Sequence, residues 1–185
     1  MYYVVEMSDT VRVPPHMLDR DPAEVAEEQA RAKYVGRYIP DVGLILEILE
    51  VKEVSEGVVL ISSPSVFYRV TFDVLSFLPK PQEVVEGEIK AVLDYGAVVN
   101  IGPIDGFIHI SQLGDDVFVH RAGVLQGRRS KLTFRRGDVV RARITSVSKP
   151  DPLAALRREP IVKVGLTCRQ PGLGKIGEEG EGAEG

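Results

Sequence analysis

The sequence predicts an α+β domain followed by a small all-β barrel, and three observations support this. Residues 1–79 read as a strand, a capped helix and further strands, whereas beyond Pro79-Lys80-Pro81 the pattern becomes almost entirely β. Glycines 87, 96, 102 and 106 fall where a tightly curved barrel bends or brings backbones together. The charge reverses at the same boundary: residues 1–79 hold 7 basic and 13 acidic side chains, residues 80–176 hold 16 and 10, and residues 177–185 hold four glutamates. A chain of 185 residues is long enough for two small domains, each with its own core.

In the first domain, Tyr2 to Val13 is rich in β-branched and aromatic residues and stops at Pro14-Pro15, as a strand does. A helix follows, with Asp21 as N-cap, Pro22 at its first position, Glu24 placed for a capping box and Gly36 closing the far end. Val25, Ala32 and Val35 are its expected apolar stripe, and Glu27 and Arg31 an exposed i,i+4 pair. Gly43–Val54 and Gly57–Ser62 flank Ser55-Glu56-Gly57, which reads as a hairpin. A third strand from about Val66 to Phe77 completes the sheet, and one helix layer covers one of its faces.

In the second domain, residues 80–176, strands are expected at Val84–Leu93, Ala97–Ile101, Gly106–Ile110, Val139–Val147 and Ile161–Thr167. An insertion at about 112–137 separates the third from the fourth, and a loop of that length is usually functional. The tail, 177–185, is glycine and glutamate with one alanine; it cannot bury a core and is expected to be disordered and solubilising.

Several function classes are disfavoured. Cys168 is the single cysteine and the three histidines lack zinc-ligand spacing, so neither a disulfide, a metal site nor a cofactor is expected. Cys168 lies in an apolar run and reads as a buried structural thiol. No phosphate-loop, dinucleotide-binding or Ser-His-Asp pattern appears, and the carboxylates gather on the helix and the tail rather than in paired metal-binding motifs. No window approaches a membrane span and the start does not read as a secretory signal, so a cytoplasmic protein that is not itself an enzyme is expected.

The most specific stretch is Val85 to Ser111, with its glycine-led strand (Gly87), Tyr95-Gly96-Ala97 turn and Gly106-Phe107-Ile108-His109-Ile110-Ser111 strand. It resembles the OB-fold RNA-binding repeat named after the large S-one protein of the bacterial small ribosomal subunit. The usual second aromatic after Gly-Ala is Val98 here, and the acid that often closes the fourth strand is Ser148, which implies modest RNA affinity.

The chemistry of these positions stands apart from the name. Tyr95 and Phe107 offer flat rings on which bases stack, or else they pack the barrel. His109 can stack, donate to phosphate, or hold a structural hydrogen bond. Arg141, Arg143 and Lys163 alternate with apolar residues and so face outward, where they can hold a phosphate backbone. Arg128, Arg129 and Lys131 belong to a basic run in the insertion, interrupted by Phe134, that suits either RNA or an acidic protein partner.

A second resemblance spans about 175 positions. The opening Met1-Tyr2-Tyr3-Val4-Val5-Glu6, the stretch Asp9 to Pro15, Tyr68-Arg69-Val70-Thr71-Phe72-Asp73 and Gly165 to Lys175 are similar to the E-prime family of archaeal RNA polymerase subunits, whose eukaryotic counterpart is the seventh subunit of polymerase II. The resemblance implies an amino-terminal truncated ribonucleoprotein-like domain, an OB domain of the S-one type, and a smaller partner, the F subunit of RNA polymerase, along the seam between them. It further implies a non-catalytic stalk that docks on the polymerase core, contacts emerging single-stranded RNA, and supports initiation, elongation and termination. The matching docking positions lie in the loops Gly36–Gly43 and Ile61–Val66, where Tyr38, Ile39, Pro40, Val66 and Phe67 form an apolar plug if exposed, or pack the domain core if not.

Overall fold

The structure, a computed structural model, describes residues 1–157 and 160–177. Residues 1–78 form one compact unit and the described residues from Pro79 onward a second. The tail expected to be disordered lies outside the described residues from position 178 on.

The first unit is an antiparallel sheet with one helix on one face. Its strands are β1 (Tyr2–Val13), β2 (Tyr38–Ile39), β3 (Gly43–Val54), β4 (Val58–Val59) and β5 (Val66–Phe77), in the order β1-β5-β3-β2 with β4 on β5. β1 pairs with β5 over twelve consecutive residues, so strict alternation sends Val11 and Val13 inward and Thr10 and Arg12 outward. β3 behaves differently. Three register shifts against β5 let Ile45, Ile48, Val51 and Val54 face the same side as Ser76, Val74, Phe72 and Val70, a spacing of three where an unbroken strand allows two.

Helix α1 (Pro22–Tyr34) lies over that face. Asp21 caps it by accepting a 2.9 Å bond from the Ala23 amide, and Gly36, at φ +81°, ends it in the left-handed conformation that glycine adopts without penalty. The expected stripe needs correction: Val25 is buried, but its buried companions are Ala26 and Ala30, while Ala32 and Val35 are exposed. The i,i+4 row through Ala26 and Ala30 continues to Tyr34, whose ring packs on Phe72 at 5.8 Å. Fully buried Phe72 sits at the centre of this core, and burying such a side chain stabilises a fold by roughly 1.5–3 kcal/mol.

The expected hairpin across Ser55-Glu56-Gly57 does not form. β3 and β4 both pair with β5, β4 through Val58 to Phe67 and Val59 to Val66, beyond the end of β3. The twelve-residue β5 is long enough to serve both. Ser55 hooks the crossing, its amide donating to the Arg69 carbonyl at 2.8 Å and its hydroxyl accepting from the Arg69 amide at 2.9 Å.

The second unit is a closed five-stranded barrel. β6 (Val84–Leu93), β7 (Gly96–Asn100) and β8 (Asp105–His109) form a meander; β12 (Val139–Val147) returns beside β6, and β13 (Val164–Thr167) closes the ring, antiparallel to β12 and parallel to β8. The last strand is shorter than the Ile161–Thr167 expected. Ile89, Val99, Ile108, Val140, Ile144 and Leu166 point inward. Cys168 is buried beside them, its thiol donating to the Arg141 carbonyl and pushed up to about 12 by burial.

The insertion folds into an antiparallel sheet of its own, with β9 (Phe118–Arg121), β10 (Val124–Gly127) and β11 (Thr133–Arg135) in the order β11-β10-β9. Phe134 therefore does not interrupt a basic loop for contact with ligand. It is buried with Leu125 and packs edge-on against Phe118 at 5.5 Å, forming the core of this small sheet. A two-residue β14 (Gly174–Lys175) pairs with β12, and Lys175 joins Asp138 at 3.3 Å.

Candidate nucleic-acid interface

The residues of the S-one-like motif converge on the outer face of β7 and β8. Alternation buries Gly106 and Ile108 and turns Asp105, Phe107 and His109 outward. Tyr95 occupies the turn between β6 and β7 and is 58% exposed, while Phe107 is half-buried beside it, with ring centroids 5.6 Å apart and planes at 44°. The turn places the ring because residue 96 is glycine: a Cβ there would stand 2.2 Å from the Ile108 carbonyl oxygen and 2.5 Å from the Phe107 ring. The Tyr95 carbonyl also accepts from the Ile110 amide at 2.9 Å, which ties the turn to the end of β8.

His109 extends this surface. Its Nδ1 accepts from the Ser111 amide at 3.2 Å and lies 2.8 Å from the Ser111 hydroxyl, an arrangement that leaves the proton on Nε2, directed away from the turn. Val98 faces Phe107 across the strands, so at this position the platform is aliphatic.

The cations divide into groups. Arg141 is engaged by Glu86 at 2.7 Å, and Arg143 is half-buried with its Nε enclosed and unpaired. Both lie on β12, separated from β8 by β13. Lys163 immediately precedes β13, where its amide is held by the Ser148 hydroxyl at 2.8 Å.

Arg128, Arg129 and Lys131 lie in the turn between β10 and β11, all exposed. Asp116, with a side chain only 5% exposed, builds that turn by accepting from the amides of Val117, Arg129 and Ser130 and from the Ser130 hydroxyl. Hydrogen bonds led by the Ser130 amide hold its carboxyl far below the usual carboxylate range, against the opposing effect of burial. The Arg128 and Lys131 side chains have no ion-pair partner among the described residues.

The five docking residues are not brought together. Tyr38 and Ile39 form β2 beside the start of β3, which pairs with the Phe77 end of β5, whereas Val66 and Phe67 occupy the other end of β5. Eleven residue steps along β5 separate these ends, roughly 37 Å. Ile39 also packs against the domain core, while Pro40 is exposed. At the Val66 end the structure adds an apolar patch where the sequence predicts a strand: Val58, Val59 and Leu60 are exposed, and Ile61 entirely so.

Known proteins share both units. Residues 8–64 match the SHS2 domain found in the N terminus of Rpb7p/Rpc25p/MJ0397, and residues 78–151 match the S1 RNA binding domain. The DNA-directed RNA polymerase subunit Rpo7 of Saccharolobus solfataricus is 38% identical over 178 residues, covering 95% of this chain and 96% of that protein. The chain belongs to the Rpo7 family. The Rpo7 of Sulfolobus acidocaldarius is 36% identical, covering 95% of this chain and 93% of its own length. A more distant relative, DNA-directed RNA polymerase III subunit RPC8 of Saccharomyces cerevisiae, is 30% identical over 69% of this chain and 56% of its own. Members of the Rpo7 family are components of the polymerase complex and not its catalytic subunits. No helix among the described residues is long and apolar enough to cross a membrane.

Proposed function

We propose that this protein is the non-catalytic stalk subunit of an archaeal-type RNA polymerase, working in the cytoplasm, paired with the small F subunit and holding emerging single-stranded RNA on its barrel. The observation that carries the reading is the exposed Tyr95 ring beside Phe107 on a face of the matched S1 RNA binding domain. Stacking on such rings is tolerant of sequence and worth roughly 1–3 kcal/mol per base. His109 donates from Nε2 at the edge of the platform, and Lys163 with Arg128, Arg129 and Lys131 supplies positive charge around it. Arg141 and Arg143 are weaker members of the set, because one is neutralised by Glu86 and the other is partly enclosed.

Docking on the polymerase core is assigned to the Val58–Ile61 end of the first unit, with Val66 and Phe67 behind it, since an exposed contiguous apolar run of this kind marks a contact surface. Tyr38, Ile39 and Pro40 lie at the other end of the sheet, outside this docking surface. Support for initiation, elongation and termination follows from holding the transcript while bound to the enzyme. The test is RNA binding by the Tyr95→Ala, Phe107→Ala double variant: loss of at least about tenfold in affinity is expected from the stacking energies, and unchanged affinity would overturn the assignment of this face.

A further inference from the structure

The three-stranded insertion sheet has an outward face whose residues follow from its register. Ala122 at φ +49° and Gly123 at φ +78° make the two-residue turn between β9 and β10, the positive-φ pair that a tight hairpin needs. Val124 therefore stands opposite Arg121 on one side and Arg135 on the other. Side chains directly opposite share a face, so Arg121, Val124 and Arg135 form one row, with Val119, Gln126 and Thr133 in the next. Alternation sends Phe118, Leu125 and Phe134 to the other face, where they are buried.

The charge on the outward face is unbalanced. Positions 117–137 hold no carboxylate, and the two that flank them, Asp116 and Asp138, have side chains only 5% and 12% exposed. Arg121 is exposed, as is Arg136 in the turn after β11, and neither side chain has an ion-pair partner among the described residues. Arg135 keeps 65% of its side chain exposed and meets Asp138 only at 3.6 Å. A surface that serves solubility alone mixes both signs, whereas a field of one sign attracts a polyanion.

We propose that this face is a phosphate track, along which the ribose-phosphate backbone of single-stranded RNA continues after leaving the Tyr95–Phe107 rings; the proposal rests on those rings binding RNA. Continuity with the rings selects RNA over an acidic protein. His120 is bonded to Asp94, the residue before Tyr95, so the Arg121 end of β9 adjoins the aromatic turn. His120 and Arg121 are successive on one strand and point to opposite faces, which leaves the Arg121 guanidinium on the outer surface beside that joint. Phe118 and Phe134 are the only Phe, Tyr or Trp residues between positions 117 and 137, and both are buried. The face therefore holds phosphates and does not stack bases.

The test uses the full-length chain and three probes: tetrauridine, and tetrauridine extended by eight abasic ribose-phosphate units at its 5′ or its 3′ end. Affinities are read by fluorescence anisotropy at several salt concentrations. Each phosphate contact adds about 0.7 to the slope of log affinity against log salt, so contacts to Arg121, Arg135 and Arg136 should make the slope for one extended probe steeper than for tetrauridine by about 2. Arg121→Ala with Arg136→Ala should cut that excess to about 0.7. Arg20→Ala with Arg31→Ala, which removes the same charge from the first unit, should leave it at about 2. No excess for either extended probe, or an excess that survives the Arg121 and Arg136 substitutions, would overturn the track, while tetrauridine binding keeps the aromatic face. An equal fall in the Arg20 and Arg31 variant would reduce the effect to net charge and overturn the track as well. Failure of all three probes to bind would overturn both readings.

Discussion

His120 Nδ1 lies 2.6 Å from Asp94 Oδ1, joining the second residue from the end of β9 to the residue immediately before Tyr95. The insertion sheet is thereby tied to the aromatic turn, although the two residues stand 26 positions apart in sequence. Asp94 is largely exposed and His120 about a quarter so, which limits the bond to the modest contribution of a surface pair, about 1 kcal/mol or less. Its consequence is positional. His120→Ala is expected to leave the melting temperature within a few degrees while increasing exchange at the amides of the Tyr95 turn, which hydrogen-exchange mass spectrometry resolves. Unchanged exchange there would mean that the turn is held by the Ile110 bond alone.

Gly96 makes the sharper prediction. A Cβ at this position collides with backbone, the Ile108 carbonyl at 2.2 Å, which cannot rotate away, and with the Phe107 ring at 2.5 Å. Gly96→Ala should cost about 1–3 kcal/mol as an overpacking substitution, and displace Phe107 from Tyr95. Urea denaturation measures the first effect, and RNA affinity falling with it measures the second.

The insertion should lose its structure at low pH in a defined window. The folded pKa of Asp116 is depressed, so its bonds stabilise the turn fully above the ordinary aspartate value, about 4, and that contribution is lost as pH falls through the lower folded value. Protection of the Arg129 and Ser130 amides should therefore stay constant from about pH 8 to 5 and decline only below about pH 4. Asp116→Ala should remove it at all pH values. Phe134→Ala, which deletes a ring 1% exposed, should cost about 3–5 kcal/mol and affect the same amides.

Residue pattern made the barrel legible and pairing made part of the first unit illegible. Val84–Leu93 carries Gly87, and both it and Val139–Val147 alternate apolar with charged residues; these signals are local, so the limits of both strands can be read directly. The partner of β4 cannot, because Gly43–Val54 and Val58–Val59 compete for one long strand and the sequence does not show that β5 serves both. Ala32 and Val35 look like helix core when the stripe is counted from Val25 alone, whereas the sheet beneath selects the row through Ala26 and Ala30. At the interface, Tyr95, Phe107 and His109 are visible because one short motif carries all three. The ion pair of Asp115 with Arg169 at 3.0 Å is not visible in this way, since it depends on how an insertion folds back on the barrel.

The cations should separate by salt dependence. Each phosphate contact on single-stranded nucleic acid contributes about 0.7 to the slope of log affinity against log salt. Arg128→Ala and Lys131→Ala should each lower the slope by nearly that amount, whereas Arg141→Ala should change it little because Glu86 already neutralises the guanidinium. Titrations of one oligonucleotide at several salt concentrations provide the comparison.

The two ends of the first sheet can be distinguished by a charge placed at each. Ile61 is wholly exposed and Val59 is 67% exposed, so neither supports the domain core, and Ile61→Asp with Val59→Asp should leave stability within about 0.5 kcal/mol. If this end enters the polymerase core, the buried carboxylates have no partner there, and recruitment of the chain to core enzyme in a pull-down should fall by more than about tenfold. Pro40→Asp places the same charge at the other end, where Pro40 is also exposed, and should leave recruitment intact. The reverse outcome, recruitment lost with Pro40→Asp and kept with the Val59 and Ile61 substitutions, would move the docking surface to the β2 end of the sheet and leave the Val58–Ile61 run without a role.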